Sequence, residues 1–392
     1  MINQVIDIIF ISILLGVTLN IIRYIGYTGD ELRDIDIKGR TLIIIPVKNP
    51  PDSLSLLIKQ LTMYLTDSDI FIAYQGEKPN IVYNDLDGDV NINIIKGVET
   101  PEYIGKIGNI VTILKSVDIT KYKYIIFLDD DIYIHPSWFN TLKNLSEYTG
   151  FATGYRVYIP MKSGLGSVMV SVWNLYSLDT IYNSKERIVW GGSACLRIDK
   201  VDINMMLRLW KKGISDDVPL TYLARSMGGI GFNELTLVPS PSYHGLKDAL
   251  EFIIRQQRIV YVYNKSLWLK GILIHLILNL LMAIAIVDML NIYLYGIDIL
   301  RIMKILMVAT LFSSYIFRNH VRLGRYEDIF GEKYKVNIRR LKIYNILFTP
   351  AILLIQLYLL IASRGYKIKW RGRIYTLPTP DELGYTILTK TS

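Results

Sequence analysis

Apolar residues along this chain follow three different rhythms. Between residues 41 and 128, short runs rich in β-branched residues alternate with stretches whose apolar positions fall three and four apart. Residues 41–47 read as a strand ending at Pro46. Pro51-Asp52-Ser53 then opens a helix that places Leu54, Leu57, Ile58, Leu61 and Leu65 on one face. Residues 70–74 and 92–95 read as the second and third strands. Ile107, Ile110, Val111, Leu114 and Val117 mark another helix, which leads into the wholly apolar run 124–128. Strand, helix, strand, helix, strand predicts an α/β fold built on a Rossmann-like, doubly wound sheet, with ligands at the carboxyl edge of the strands. From about residue 155 to residue 245 the pattern is less regular and rich in Gly, Ser and Trp, as where loops assemble a binding site.

The third rhythm is continuous. Residues 5–22, 267–290, 299–317 and 343–362 are each near the roughly 20 apolar residues needed to cross a bilayer core. The first lacks a basic leading segment and a small-residue cleavage site, so it reads as a retained anchor rather than a signal peptide. Arg318, Arg322, Arg325, Lys333, Lys335, Arg339, Arg340 and Lys342 fill the segment between the last two stretches. The positive-inside rule makes 318–342 a cytoplasmic loop and puts the preceding domain in the cytoplasm with it. A complete crossing by 343–362 would then place Arg364, Lys367, Lys369, Arg371 and Arg373 on the opposite side, against the same rule. Pro350 marks a possible kink or re-entrant turn, so the number of crossings stands at three or four. The expected organisation is an anchor over 1–25, a catalytic domain over 38–265, membrane helices over 266–363 and a tail over 364–392.

Composition supports a lipid setting, since 51% of the 392 residues are hydrophobic. The net charge of +9 sits beside the apolar stretches rather than along an aromatic-studded groove, which argues for head groups and against nucleic acid. The single cysteine, Cys195, excludes an internal disulfide and reads as a small buried residue. His135 and His244 lack metal-ligand spacing and read as turn or surface residues, and His275 as a polar contact within a membrane helix. Asn84-Asp85-Leu86-Asp87-Gly88-Asp89 lacks the closing glutamate of a calcium loop and reads as a polar turn.

Candidate chemistry begins at Asp129, Asp130 and Asp131, directly after the apolar run. Carboxylates packed this closely repel, and a divalent cation held by their oxygens relieves the repulsion. Gly191-Gly192-Ser193-Ala194 is a small-residue stretch that lets a substrate approach the backbone. Ser215-Asp216-Asp217 supplies a second acidic pair at a helix start, and Arg255-Gln256-Gln257-Arg258 sets two guanidinium groups three residues apart on one helical face.

In this order, over residues 40–270, the chain resembles the family-2-type glycosyltransferases and their relatives in the ceramide glucosyltransferase family. Trp370-Arg371-Gly372-Arg373-Ile374-Tyr375 resembles the ends of membrane-bound members. The resemblance implies a GT-A fold, a divalent metal (Mg or Mn), a nucleotide-sugar donor, with UDP-glucose expected, and inverting transfer to a membrane lipid hydroxyl at the cytoplasmic leaflet. It implies Asp131 as a metal ligand and Asp129 as a ligand to the metal or the ribose. Lys106, in Gly105-Lys106-Ile107-Gly108-Asn109, would approach the nucleotide. Gly191, Gly192, Ser193, Asp216 and Gln257 would lie on the acceptor side, Asp217 would be the general base, and Arg255 and Arg258 would hold the diphosphate. Two positions depart from the family: no aspartate ends the second strand, where Gln75 or Glu77 would substitute, and Ile259 replaces the tryptophan of the arginine motif. A ceramide-like or other long-chain lipid is the leading acceptor, and a polyprenyl phosphate, a growing polysaccharide and a catalytically silent scaffold remain the alternatives.

Overall fold

The computed structural model describes residues 25–80, 90–211, 213–370 and 372–384, together with Ser12, Leu15, Gly16, Thr18 and Leu19. The expected anchor at 5–22 therefore lies largely outside the described residues, and the polar turn at 84–89 wholly so. The chain divides into two compact units: 28–158, 177–241 and 366–392 form one, and 1–27, 159–176 and 242–365 the other.

The first unit is built on a six-stranded mixed sheet. Strands β1 (Thr41–Lys48), β2 (Ser68–Gln75), β3 (Asn91–Lys96) and β4 (Tyr124–Leu128) run parallel. Strand β7 (Ser193–Arg197) pairs antiparallel with β4, and β5 (Phe151–Thr153) pairs antiparallel with β7, giving the order β3-β2-β1-β4-β7-β5. Another strand, β6 (Tyr155–Pro160), pairs outside this sheet with β8 (Leu237–Ser242). Every residue of β4 is buried, as a strand covered on both faces requires. Burying side chains such as Ile125, Ile126 and Leu128 contributes about 1.5–3 kcal/mol each. The helix predicted from Leu54, Leu57, Ile58 and Leu61 is α1 (Ser53–Tyr64), and these four face the core. The second, α2 (Gly105–Ser116), follows β3. Its Asn109 donates to Val47 O and Ala73 O, both at 3.1 Å, and so locks the carboxyl ends of β1 and β2 together. Strand order reverses between β1 and β4, and that switch point opens a crevice at the carboxyl edge. Strand β1 continues through Pro46 to Lys48, two residues beyond the predicted end, because Pro46 still pairs with Ala73 although β4 stops pairing at Ile44.

The second unit is helical. After α3 (Trp138–Thr149), α4 (Leu165–Tyr182), α5 (Ile203–Trp210) and α6 (Asp217–Ser226), the chain enters α7 (Leu246–Tyr263), α8 (Lys265–Tyr295), α9 (Ile299–Phe330) and α10 (Glu332–Ala362). The last three are long and apolar enough to cross a membrane. Leu278, Leu281, Val308, Leu311 and Leu353 form their shared core.

Two expectations are corrected here. Residues 318–342 are not a loop: α9 and α10 run through them and turn only at Gly331, whose φ of +73° suits glycine. Their basic residues sit on helix faces, where Arg318 and Arg322 are buried and Glu327 accepts from Arg339 and Lys342 at 2.9 and 2.8 Å. Nor does Pro350 make a re-entrant turn, since α10 continues unbroken past it. At the start of α8, Trp268 donates to Leu360 O and Ser363 Oγ at the end of α10, and Arg258 donates to Ala362 O and Ser363 O. The three-helix run therefore begins and ends at one level.

Candidate active site

Two backbone features bring the acidic residues together. Strand β4 ends at Leu128, so Asp129–Asp131 leave the sheet at its carboxyl edge, and Asp129 N–H donates to Gly192 O at 3.0 Å. Helix α6 begins at Asp217, and its first turn meets the same glycines, with Gly191 N–H donating to Asp217 Oδ1 at 2.6 Å. A side chain at Gly191 would place its Cβ 1.8 Å from Asp216 Oδ2, and one at Gly192 would lie 2.3 Å from Asp129 Oδ2. Glycine fits both positions because the carboxylates of Asp216 and Asp217 press on Gly191, and the Trp190 ring and Asp129 press on Gly192.

Lys106 ties the cluster. Its ammonium lies 2.8 Å from Asp129 Oδ1, 2.9 Å from Asp216 Oδ2 and 3.2 Å from Gly191 O. The contact with Asp216 is an ion pair only, since the buried Asp216 Oδ2 accepts no hydrogen bond. The lysine read from sequence as a nucleotide contact is thus a bridge between the strand end and the helix start. Facing carboxylates drive its pKa upward despite burial. Burial and the neighbouring Asp216 charge push Asp217 up to about 7, against the pull of Lys106 and Gly191 N–H. A carboxylate poised there accepts a proton from an alcohol far more readily than an exposed aspartate does.

One residue of the cluster had no sequence signal strong enough to find it. Arg156 donates from Nη2 to Asp129 Oδ2 at 2.7 Å and to Asp131 Oδ1 at 3.2 Å. Alternation along Tyr155-Arg156-Val157-Tyr158 places Arg156 and Tyr158 on one face, but only the pairing of β6 with β8 decides which way that face looks.

The other expected residues have varied fates. Gln75 closes β2 and donates to Gly105 O at 3.4 Å, beside Lys106. Ser193 is fully buried and accepts from Trp138 Nε1 at 2.8 Å, so it supports the glycine turn from within rather than facing an acceptor. Arg255, Gln257 and Arg258 belong to α7 in the helical unit. There Arg255 lies over the Phe252 ring at 5.4 Å, and Arg258 caps the carbonyls ending α10, a favoured place for a cation. His135 is not a surface residue: it is buried with Nε2 3.1 Å from Leu237 O, and burial pushes it down to about 4. Cys195 is buried, and burial raises its thiol to about 12.

The donor set suits a hard cation in kind, because Asp129 and Asp131 offer carboxylate oxygens. Among the described residues, no group of three or more His, Cys, Asp or Glu side chains forms a metal cage. Magnesium-type sites seldom need one, taking one or two carboxylates and completing the shell with water and phosphate oxygens. The net charge fits as well, with four carboxylates gathered around two cations.

No protein-family model matches the chain, and no curated protein does. Among solved structures, it is similar to the mannosyltransferase PcManGT from Pyrobaculum calidifontis in complex with GDP-Man and Mn2+. That match has 13% identity and a TM-score of 0.44, over 92% of this chain and 97% of that one. It is also similar to glucosyl-3-phosphoglycerate synthase from Mycobacterium tuberculosis in complex with phosphoglyceric acid, at 11% identity and a TM-score of 0.31 over 56% and 78% of the two chains. GalNAc-T7 with UDP, GalNAc and Mn2+ matches at 10% identity and 0.36, over 60% and 51%.

Proposed function

We propose that this chain is an inverting glycosyltransferase that moves a hexose, with glucose expected, from a nucleotide sugar to the hydroxyl of a membrane lipid at the cytoplasmic leaflet. The observation that carries the reading is the single ion-paired cluster in which Lys106 links Asp129 to Asp216 while Asp217, with its raised pKa, accepts from Gly191. Such a cluster sets a donor-side pair of carboxylates and a proton acceptor at one sheet edge.

In this mechanism Asp217 Oδ1 stays on Gly191 N–H, which fixes the carboxylate plane, and the second oxygen takes the acceptor hydroxyl proton. The alkoxide-like oxygen attacks the anomeric carbon as the bond to the diphosphate oxygen breaks, and the nucleoside diphosphate leaves. One base and one displacement invert the anomeric centre, whereas retention would require a second carboxylate free to act as nucleophile. Lys106 holds Asp216 in place beside Asp217 through their ion pair, while burial and the neighbouring carboxylate keep the base basic against the pull of the ammonium. Gln75, beside Gly105, lies where the nucleotide end of the donor would rest. Asp129 and Asp131 would hold the magnesium or manganese ion, which when bound supplies positive charge for the leaving diphosphate.

The test is nucleoside diphosphate release from a panel of nucleotide sugars, with the full chain in lipid and added Mg2+ or Mn2+, and lipid products read by mass. One hexose gained by a lipid supports the reading and names both substrates. A long polymer moves the chain to the synthases, and no release from a folded protein overturns the reading.

A further inference from the structure

Arg156 does more than fill a gap among acids. Its guanidinium spans Asp129 and Asp131, with a second, longer approach from Nη1 to Asp131 Oδ2 at 3.5 Å. It lies over the Trp190 ring at 4.7 Å and beside Tyr158, whose hydroxyl is 3.3 Å from Nη1. Its side chain is 14% exposed, against 52% for Asp131. The arginine is therefore enclosed, and the carboxylate it grips opens to solvent. A cation bound to the same two carboxylates would need the place the guanidinium now holds, and two positive charges cannot share it at contact distance.

We propose that Arg156 is an exchangeable counter-cation: it holds Asp129 and Asp131 together before substrate arrives, yields them to the divalent cation, and then grips the donor diphosphate. This rests on the nucleotide-sugar reading above. The chemistry favours arginine in this role. Its planar fork bridges two carboxylates or two phosphate oxygens equally well, and its flat face slides on Trp190 without losing the stacking contact. The consequence is a coupling: metal alone must displace the guanidinium, whereas metal arriving with a diphosphate gives the guanidinium a new partner. Each ligand strengthens the other by the same factor.

The experiment is Mn2+ binding to the full chain in nanodiscs, followed by electron paramagnetic resonance with and without UDP or GDP, for the wild type, Arg156→Met and Arg156→Lys. The wild type binds Mn2+ weakly alone and at least about tenfold more tightly with nucleoside diphosphate. Arg156→Met binds Mn2+ alone about tenfold more tightly than the wild type and loses most of the gain from nucleotide. Arg156→Lys falls between and provides the reading if the methionine variant does not fold. Equal or weaker Mn2+ binding by both variants without nucleotide overturns the exchange. A wild type that binds Mn2+ but neither UDP nor GDP overturns the transferase reading and the diphosphate step; tighter Mn2+ binding by Arg156→Met in that case still supports exchange at the carboxylates.

Discussion

The aspartates that end β4 and those that begin α6 meet through one lysine, yet their settings oppose each other. Asp129 and Asp131 lie against a guanidinium, with Asp131 open to solvent. Asp217 is enclosed beside the like charge of Asp216, and its Oδ1 accepts from the backbone N–H of Gly191. Identical side chains thus acquire different chemistry. A neighbouring cation favours the charged form of a carboxylate, whereas burial beside a like charge favours its protonated form. The divergence of such a pair is a general way to assign acid, base and ligand roles.

The strongest way to break this contrast is Asp217→Asn. It should lower transfer by about 10³-fold while leaving nucleotide binding intact, checked by turnover beside nucleotide titration. The same variant tests the pH sign. In the wild type the base gains activity as pH rises through about 7, where Asp217 loses its proton. Its folded pKa lies above the ordinary carboxylate value near 4, so the folded state holds a proton that the unfolded chain releases between those limits. Stability should therefore fall as pH rises from about 4 to about 7, and Asp217→Asn should flatten that slope in denaturation curves. Turnover unchanged by the substitution would remove Asp217 from the reaction.

Lys106→Met should come next, at about 3 kcal/mol of stability, because removing the shared cation leaves the buried Asp216 without its ion pair and Asp129 with one cation fewer. Thermal unfolding in detergent reads this, and a small change would mean that the two acidic groups are not held as one. Gly191→Ala sharpens the contrast more gently: a Cβ 1.8 Å from Asp216 Oδ2 displaces the helix start from the strand end, and a loss of about 10²-fold in turnover is expected with metal binding retained. The smallest effect belongs to Gln75→Ala. Its long bond to Gly105 O makes a cost of about 0.5–1 kcal/mol in nucleotide affinity the expectation.

Local pattern made part of this legible in the sequence. Strands β1 to β4 and helices α1 and α2 follow from apolar periodicity, since each element must bury one face whatever its neighbours are. The acidic triplet at the end of β4 was visible for the same reason, as a change from five buried apolar residues to three charged ones. Segment 318–342 misled because charge density signals solvent or head groups, and a helix can present those charges on one side without breaking. His135 misled because a polar ring beside proline resembles a turn until Leu237 O appears as its partner.

The sequence by itself determined which residues carry charge and which stretches must be buried, because those depend on neighbours within a few positions. Only the tertiary structure decided that Lys106, Asp129, Gly191, Asp216 and Asp217 form one cluster, that Arg156 joins it, and that the three-helix run starts and ends at one level. Each of these is set by contacts between residues tens of positions apart in the chain, where periodicity carries no information and only closure of the sheet and the helical unit fixes distance and dielectric.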